Sequence, residues 1–98
     1  MSVPTFNEFL IGALEALAAR PLANRKDLAA WRAEAERLQE SFTPEQEDSV
    51  PAFVWHYLGD ADIRLRNPSF RADQERRLRH VVEELGPRAP RPVVRRRS

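Results

Sequence analysis

The chain has 98 residues, no cysteine and a formal charge of +1. That length suits one domain with one modest core, and the lack of cysteine removes disulfide frameworks, thiolate zinc sites and cysteine nucleophiles. The small net charge hides a division: residues 1–86 carry eleven basic and fifteen acidic side chains, whereas residues 87–98 add five arginines and no acid, so the body is mildly acidic and attraction to polyanions belongs to the tail.

The first helix announces itself at Thr5 and Glu8, which have the spacing of a capping box. Phe6, Phe9, Leu10, Ala13, Leu14 and Leu17 then recur at helical intervals, with Phe9 expected as the first core residue. Pro21 ends the pattern near Ala19 or Arg20. Residues 9–14 are apolar, but Glu8 and Glu15 bracket them and no basic residue precedes them, so no signal peptide is expected. No apolar run approaches membrane-spanning length, and a soluble, cytoplasmic protein without membrane contact is the expectation.

Asn24 is a good cap for a second helix, with Asp27 in its first turn. Leu28, Trp31, Ala35, Leu38 and Phe42 form a narrow apolar seam, while Arg32, Glu34, Glu36, Arg37 and Glu40 fill the other faces. Thr43-Pro44-Glu45-Gln46 repeats the start signal, with proline at the first helical position. Pro51 follows seven residues later, which limits this third segment to a short helical turn at 44–48.

The stretch from Val50 to Arg66 carries the strongest pattern. At 100° per residue, Val50, Phe53, Val54, Tyr57, Leu58, Ala61 and Leu65 share one stripe. Trp55, Gly59 and Ile63 form a second stripe beside it, so this segment is apolar around more than half its circumference. Gly59 leaves two options: a C-cap with Asp60 starting a separate short helix, or one continuous helix. The phase kept by Leu58, Ala61 and Leu65 favours the continuous helix. Asn67-Pro68 caps and starts the last helix, whose core face is Phe70, Gln74, Leu78, Val81, Val82 and Leu85. Gly86 and Pro87 close it.

The expected fold is therefore all-α: a single-domain, four-helix up-and-down bundle over residues 1–86, with an extra short helical turn near 44–48. Residues 87–98 are proline-spaced, basic and poor in apolar side chains, the composition of a disordered tail.

No catalytic constellation, glycine-rich phosphate loop or calcium loop is present, and no enzyme activity, cofactor or metal is expected. His56, Asp60 and Arg64 at i, i+4, i+8 have the spacing of two metal ligands, or of a base with its orienting carboxylate. A ladder of charges on a wet helix face explains them more simply. Arg64, Arg66 and Arg71 gather at the turn before the last helix, where an anion would also find free backbone N–H groups. The acids around them make internal neutralisation the simpler reading, and Arg64 and Arg71 remain candidate anion contacts.

The second stripe is the candidate interface: Trp55, Gly59 and Ile63, flanked by Asp62 and Arg66. A tryptophan beside a glycine makes a notch in which a partner's backbone fits closely, and tryptophan and arginine are enriched at the energetic centres of interfaces. The competing reading buries both stripes inside the monomer. On these grounds the chain reads as a small protein–protein interaction module of regulator, adaptor or inhibitor type, self-associating as a homodimer through its third helix. The alternative is a nucleic-acid or anion binder working through its tail, with Arg95, Arg96 and Arg97 as the densest charge. No aromatic residue there offers a surface for stacking bases.

Overall fold

In the computed structural model, residues 5–86 are described. They are all-helical: α1 (Phe6–Ala19), α2 (Arg25–Glu40), α3 (Pro44–Ser49), α4 (Ala52–Gly59), α5 (Ala61–Arg66) and α6 (Pro68–Leu85). No strand occurs among the described residues, and none of their helices is long and apolar enough to cross a membrane. The tail, with Arg95, Arg96 and Arg97, lies outside them.

The helix starts follow the sequence signals. Thr5 and Glu8 form a reciprocal capping box, with bonds of 2.9 and 3.0 Å, and Thr43 and Gln46 repeat it at α3. Asn24 accepts from the Asp27 N–H at 2.9 Å, and Asn67 accepts from the Phe70 N–H at 3.0 Å. Each cap satisfies an N–H that the first helical turn leaves without a partner. Gly86 ends α6 with extended backbone rather than a left-handed turn, so this C-terminus does not use the conformational freedom of glycine.

The continuous helix expected from Val50 to Arg66 does not form. The chain breaks at Asp60, whose φ of −103° and ψ of 18° lie in the sparsely occupied bridge region. Gly59, a poor helix former, immediately precedes the break. The Asp60 carbonyl accepts from the N–H groups of both Ile63 and Arg64, at 3.0 and 3.1 Å, and so starts α5. The chain thus follows the option in which Asp60 opens a separate short helix, although the Asp60 side chain makes no cap bond. Ala61 and Arg64 are the buried residues of α5, and Arg64, seven residues after Tyr57, falls at the helical spacing that shares a face with it.

The core is built from Leu10, Leu14, Trp31, Ala35, Leu38, Phe42, Val54, Tyr57, Leu58 and Leu78, joined by Leu22 from the α1–α2 link. Two polar ties fasten it. The Trp31 indole N–H donates to the Leu17 carbonyl at 3.0 Å, joining α2 to α1. The Arg71 guanidinium on α6 donates to the Leu22 carbonyl at 3.0 Å, across 49 residues of sequence. Phe9, expected in the core, is instead 47 % exposed. Phe6, one turn earlier, takes the inward position and meets Phe42 edge-on at 5.6 Å.

Candidate functional site: a buried guanidinium and an arginine cleft

Arg64 is 2 % exposed, which is unusual for a charged residue. Its guanidinium carbon sits 4.7 Å from the centre of the Trp31 ring and 4.0 Å from that of Tyr57. The two rings meet edge-on, with centroids 5.6 Å apart. The aromatic faces stabilise the cation electrostatically, more strongly where water is excluded. Nη1 donates to the Tyr57 carbonyl at 2.7 Å and to the Gln74 side-chain oxygen. Gln74 in turn donates through Nε2 to an Asp60 carboxylate oxygen at 3.0 Å. The nearest acid therefore reaches the cation through an amide relay. Arg64 Nη2 is buried with no hydrogen-bond partner among the described residues.

Burial raises the Tyr57 pKa, with the Arg64 charge opposing that shift in part. Burial also lowers the Arg64 pKa, with Tyr57 and Asp60 acting against it. The network spans α4, the Asp60 break, α5 and α6, so it fixes the angle at which the chain turns. Its Asp60 and Gln74 edge borders a concavity of about 280 Å³ that His56, Asp73 and Arg77 also line, while the Arg64 guanidinium itself is enclosed. Arg64 is thus not an exposed anion contact, and His56, Asp60 and Arg64 do not form a wet ladder. His56 is exposed, Asp60 is half-buried and Arg64 is interior. Arg71 is likewise occupied, by Glu75 at 3.1 Å and by the Leu22 carbonyl. Among the described residues no group of three or more His, Asp or Glu side chains converges as metal ligands would.

The five candidate interface residues separate. Trp55 is half-buried and packs edge-on against Phe42 at 5.9 Å. Gly59 is exposed, with open space where a Cβ would stand. Ile63 is half-buried on α5. Asp62 and Arg66 lie elsewhere, on a cleft of about 310 Å³ between α2 and α5, whose other lining residues are Arg25, Leu28, Arg32 and Leu65.

This cleft brings three guanidiniums together around one carboxylate. Arg32 approaches Asp62 at 3.6 Å and Arg66 approaches it at 3.9 Å, both longer than a good hydrogen bond. Arg66 also donates weakly to the Asp62 carbonyl at 3.3 Å, and Arg25 makes no ion pair among the described residues. The floor is apolar, from Leu28 and Leu65. Most of the guanidinium donors therefore face solvent, and Arg presents them in a fork that matches a carboxylate. Of the four charged residues only Asp62 and Arg66 stand out in the sequence, because Arg32 reads there as an ordinary solvated position of α2 and nothing singles out Arg25. Their spacing of seven residues, one face of a helix two turns apart, was the available signal.

A second concavity, also about 310 Å³, runs between α1 and α2 below Phe9, with Ala13, Leu17 and Leu38 in its wall. Its charges are Arg37, held by Glu34 at 3.2 Å, and Arg20, which makes no ion pair among the described residues.

No protein-family model, curated protein or solved structure matches the chain.

Proposed function

We propose that this protein is a non-enzymatic protein–protein interaction module that receives an acidic protein segment in the α2–α5 cleft. In this reading α4 and α5 together occupy the place of the third helix of a four-helix, up-and-down arrangement. The observation that carries the proposal is the excess of guanidinium over carboxylate in a concave site with a leucine floor. Exposed pairs such as those around Asp62 are worth only about 0–1 kcal/mol, so an incoming carboxylate displaces little. Apolar contact with Leu28 and Leu65 would add area that a bare inorganic anion cannot use.

A nucleic acid fits the cleft less well. The charge of the body is −4 over residues 1–86, and no aromatic side chain lines the cleft to stack on a base. The partner class supported is an acidic segment with an apolar residue beside its carboxylates.

The test is fluorescence anisotropy with a labelled Glu-Leu-Glu-Glu peptide, run against wild type and the double variant Arg25→Glu/Arg32→Glu. Binding should weaken with added salt and fall by about tenfold or more in the variant. Equal binding by both proteins would overturn the cleft as the site. Retention of binding by the variant, together with its loss on removing residues 87–98, would shift the reading to the tail.

A further inference from the structure

The molecule carries an acidic segment of its own that is not neutralised. Helix α3 has the sequence PEQEDS and no buried residue. Glu45, Glu47 and Asp48 are all exposed, and none of them makes an ion pair among the described residues. Pro44, Glu45 and Asp48 fall within about 100° of one another around the helix axis. They therefore present one apolar ring and two carboxylates on a single face, the composition that the cleft selects.

We infer that the segment the cleft receives is α3 of a second copy of this chain. The inference rests on the reading of the cleft given above and names its partner. Within one molecule the two surfaces stand apart. The cleft uses Arg25, Leu28 and Arg32 from the first half of α2, and α3 follows the far end of that helix, which is about 24 Å long. A chain therefore leaves its own cleft unfilled and its own α3 unneutralised. A neighbouring copy supplies both missing halves. Glu45 and Asp48 meet Arg25 and the outer donors of Arg32 and Arg66, while the Pro44 ring rests on Leu28 and Leu65. The attraction is between exposed charges, so association is weak, fast and sensitive to salt.

The test uses full-length protein in sedimentation velocity, with helicity checked by circular dichroism. Wild type should associate at low salt and dissociate at high salt. Glu45→Arg/Asp48→Arg makes both surfaces basic, and Arg25→Glu/Arg32→Glu makes both acidic. Each double variant alone should associate about tenfold more weakly or worse. Mixed together they should recover association, because each supplies the charge that the other lacks. A wild type that stays monomeric at low salt, or a mixture that fails to recover, overturns the inference. If wild type stays monomeric yet still binds the Glu-Leu-Glu-Glu peptide, the cleft stands as an acidic-segment site and only the choice of partner fails. If the peptide does not bind either, both readings fall.

Discussion

Arg64 is the residue on which the packing of α4, α5 and α6 depends. Replacing it with alanine removes the cation between Trp31 and Tyr57, leaves the Tyr57 carbonyl and Gln74 short of a donor, and opens a cavity. The expected loss is about 3 kcal/mol or more, measured by urea unfolding. Arg64→Lys should recover little of it, because an ammonium cannot stack its plane against two rings while reaching the Tyr57 carbonyl and Gln74. Tyr57 supplies a second prediction. Its folded pKa lies above the ordinary value of 10.0, chiefly because of burial. Below pH 10 the phenol is neutral in both folded and unfolded chains and costs nothing. Above that the unfolded chain ionises first, so stability falls as pH rises through the folded pKa. Tyr57→Phe keeps the ring beneath Arg64 and should flatten this alkaline loss in thermal melts. Since Tyr57 is the single tyrosine, phenolate absorbance reads its titration without overlap. Little of this was legible in the sequence. The charges of Asp60, Asp62 and Arg66 around Arg64 read as a solvated face, although its seven-residue spacing from Tyr57 already places it on the apolar stripe.

At the level of elements, capping and proline signals located the starts of α1, α2, α3 and α6, because each depends on side chains within three or four residues. Gly59 and Asp60 offered the division of α4 from α5 locally as one of two options, but the bond from Gln74 to Asp60 that accompanies it comes from α6 and lies outside any local pattern. The same dependence explains Phe9: two phenylalanines one turn apart both match the core period, and only the position of Phe42 selects Phe6. Gly59 ends α4 with no positive φ, and a methyl group added to its Cα would point into open space. Gly59→Ala should therefore stabilise the protein by about 0.5–1 kcal/mol, seen as a higher melting temperature. A loss of self-association in the same variant would instead show that a partner's backbone approaches there. At α3, Thr43→Ala removes one half of the capping box and should cost about 1 kcal/mol of local helix stability. Faster amide exchange at Gln46, whose N–H now bonds the Thr43 hydroxyl, is the direct readout.

Across the whole molecule, charge is distributed by element rather than evenly. Much of α6 neutralises itself, with Asp73 pairing with Arg76 and Arg77, and Arg71 pairing with Glu75. Arg25 at the cleft and Glu45, Glu47 and Asp48 on α3 make no ion pair among the described residues, as is also true of Glu15, Glu36, Glu40, Glu83 and Glu84. The all-helical class was legible because apolar periodicity is a property of single segments, whereas the cleft joins residues thirty or more positions apart and needed the tertiary packing to appear. That packing also gives the protein two optical reporters of different character. Trp31 lies in the centre of the core with its indole N–H bonded and a guanidinium against its ring. Trp55 rests half-buried against Phe42. A dissolved ionic quencher should dim the emission of Trp55 while leaving that of Trp31, so a single fluorescence titration separates loosening at the surface from collapse of the interior.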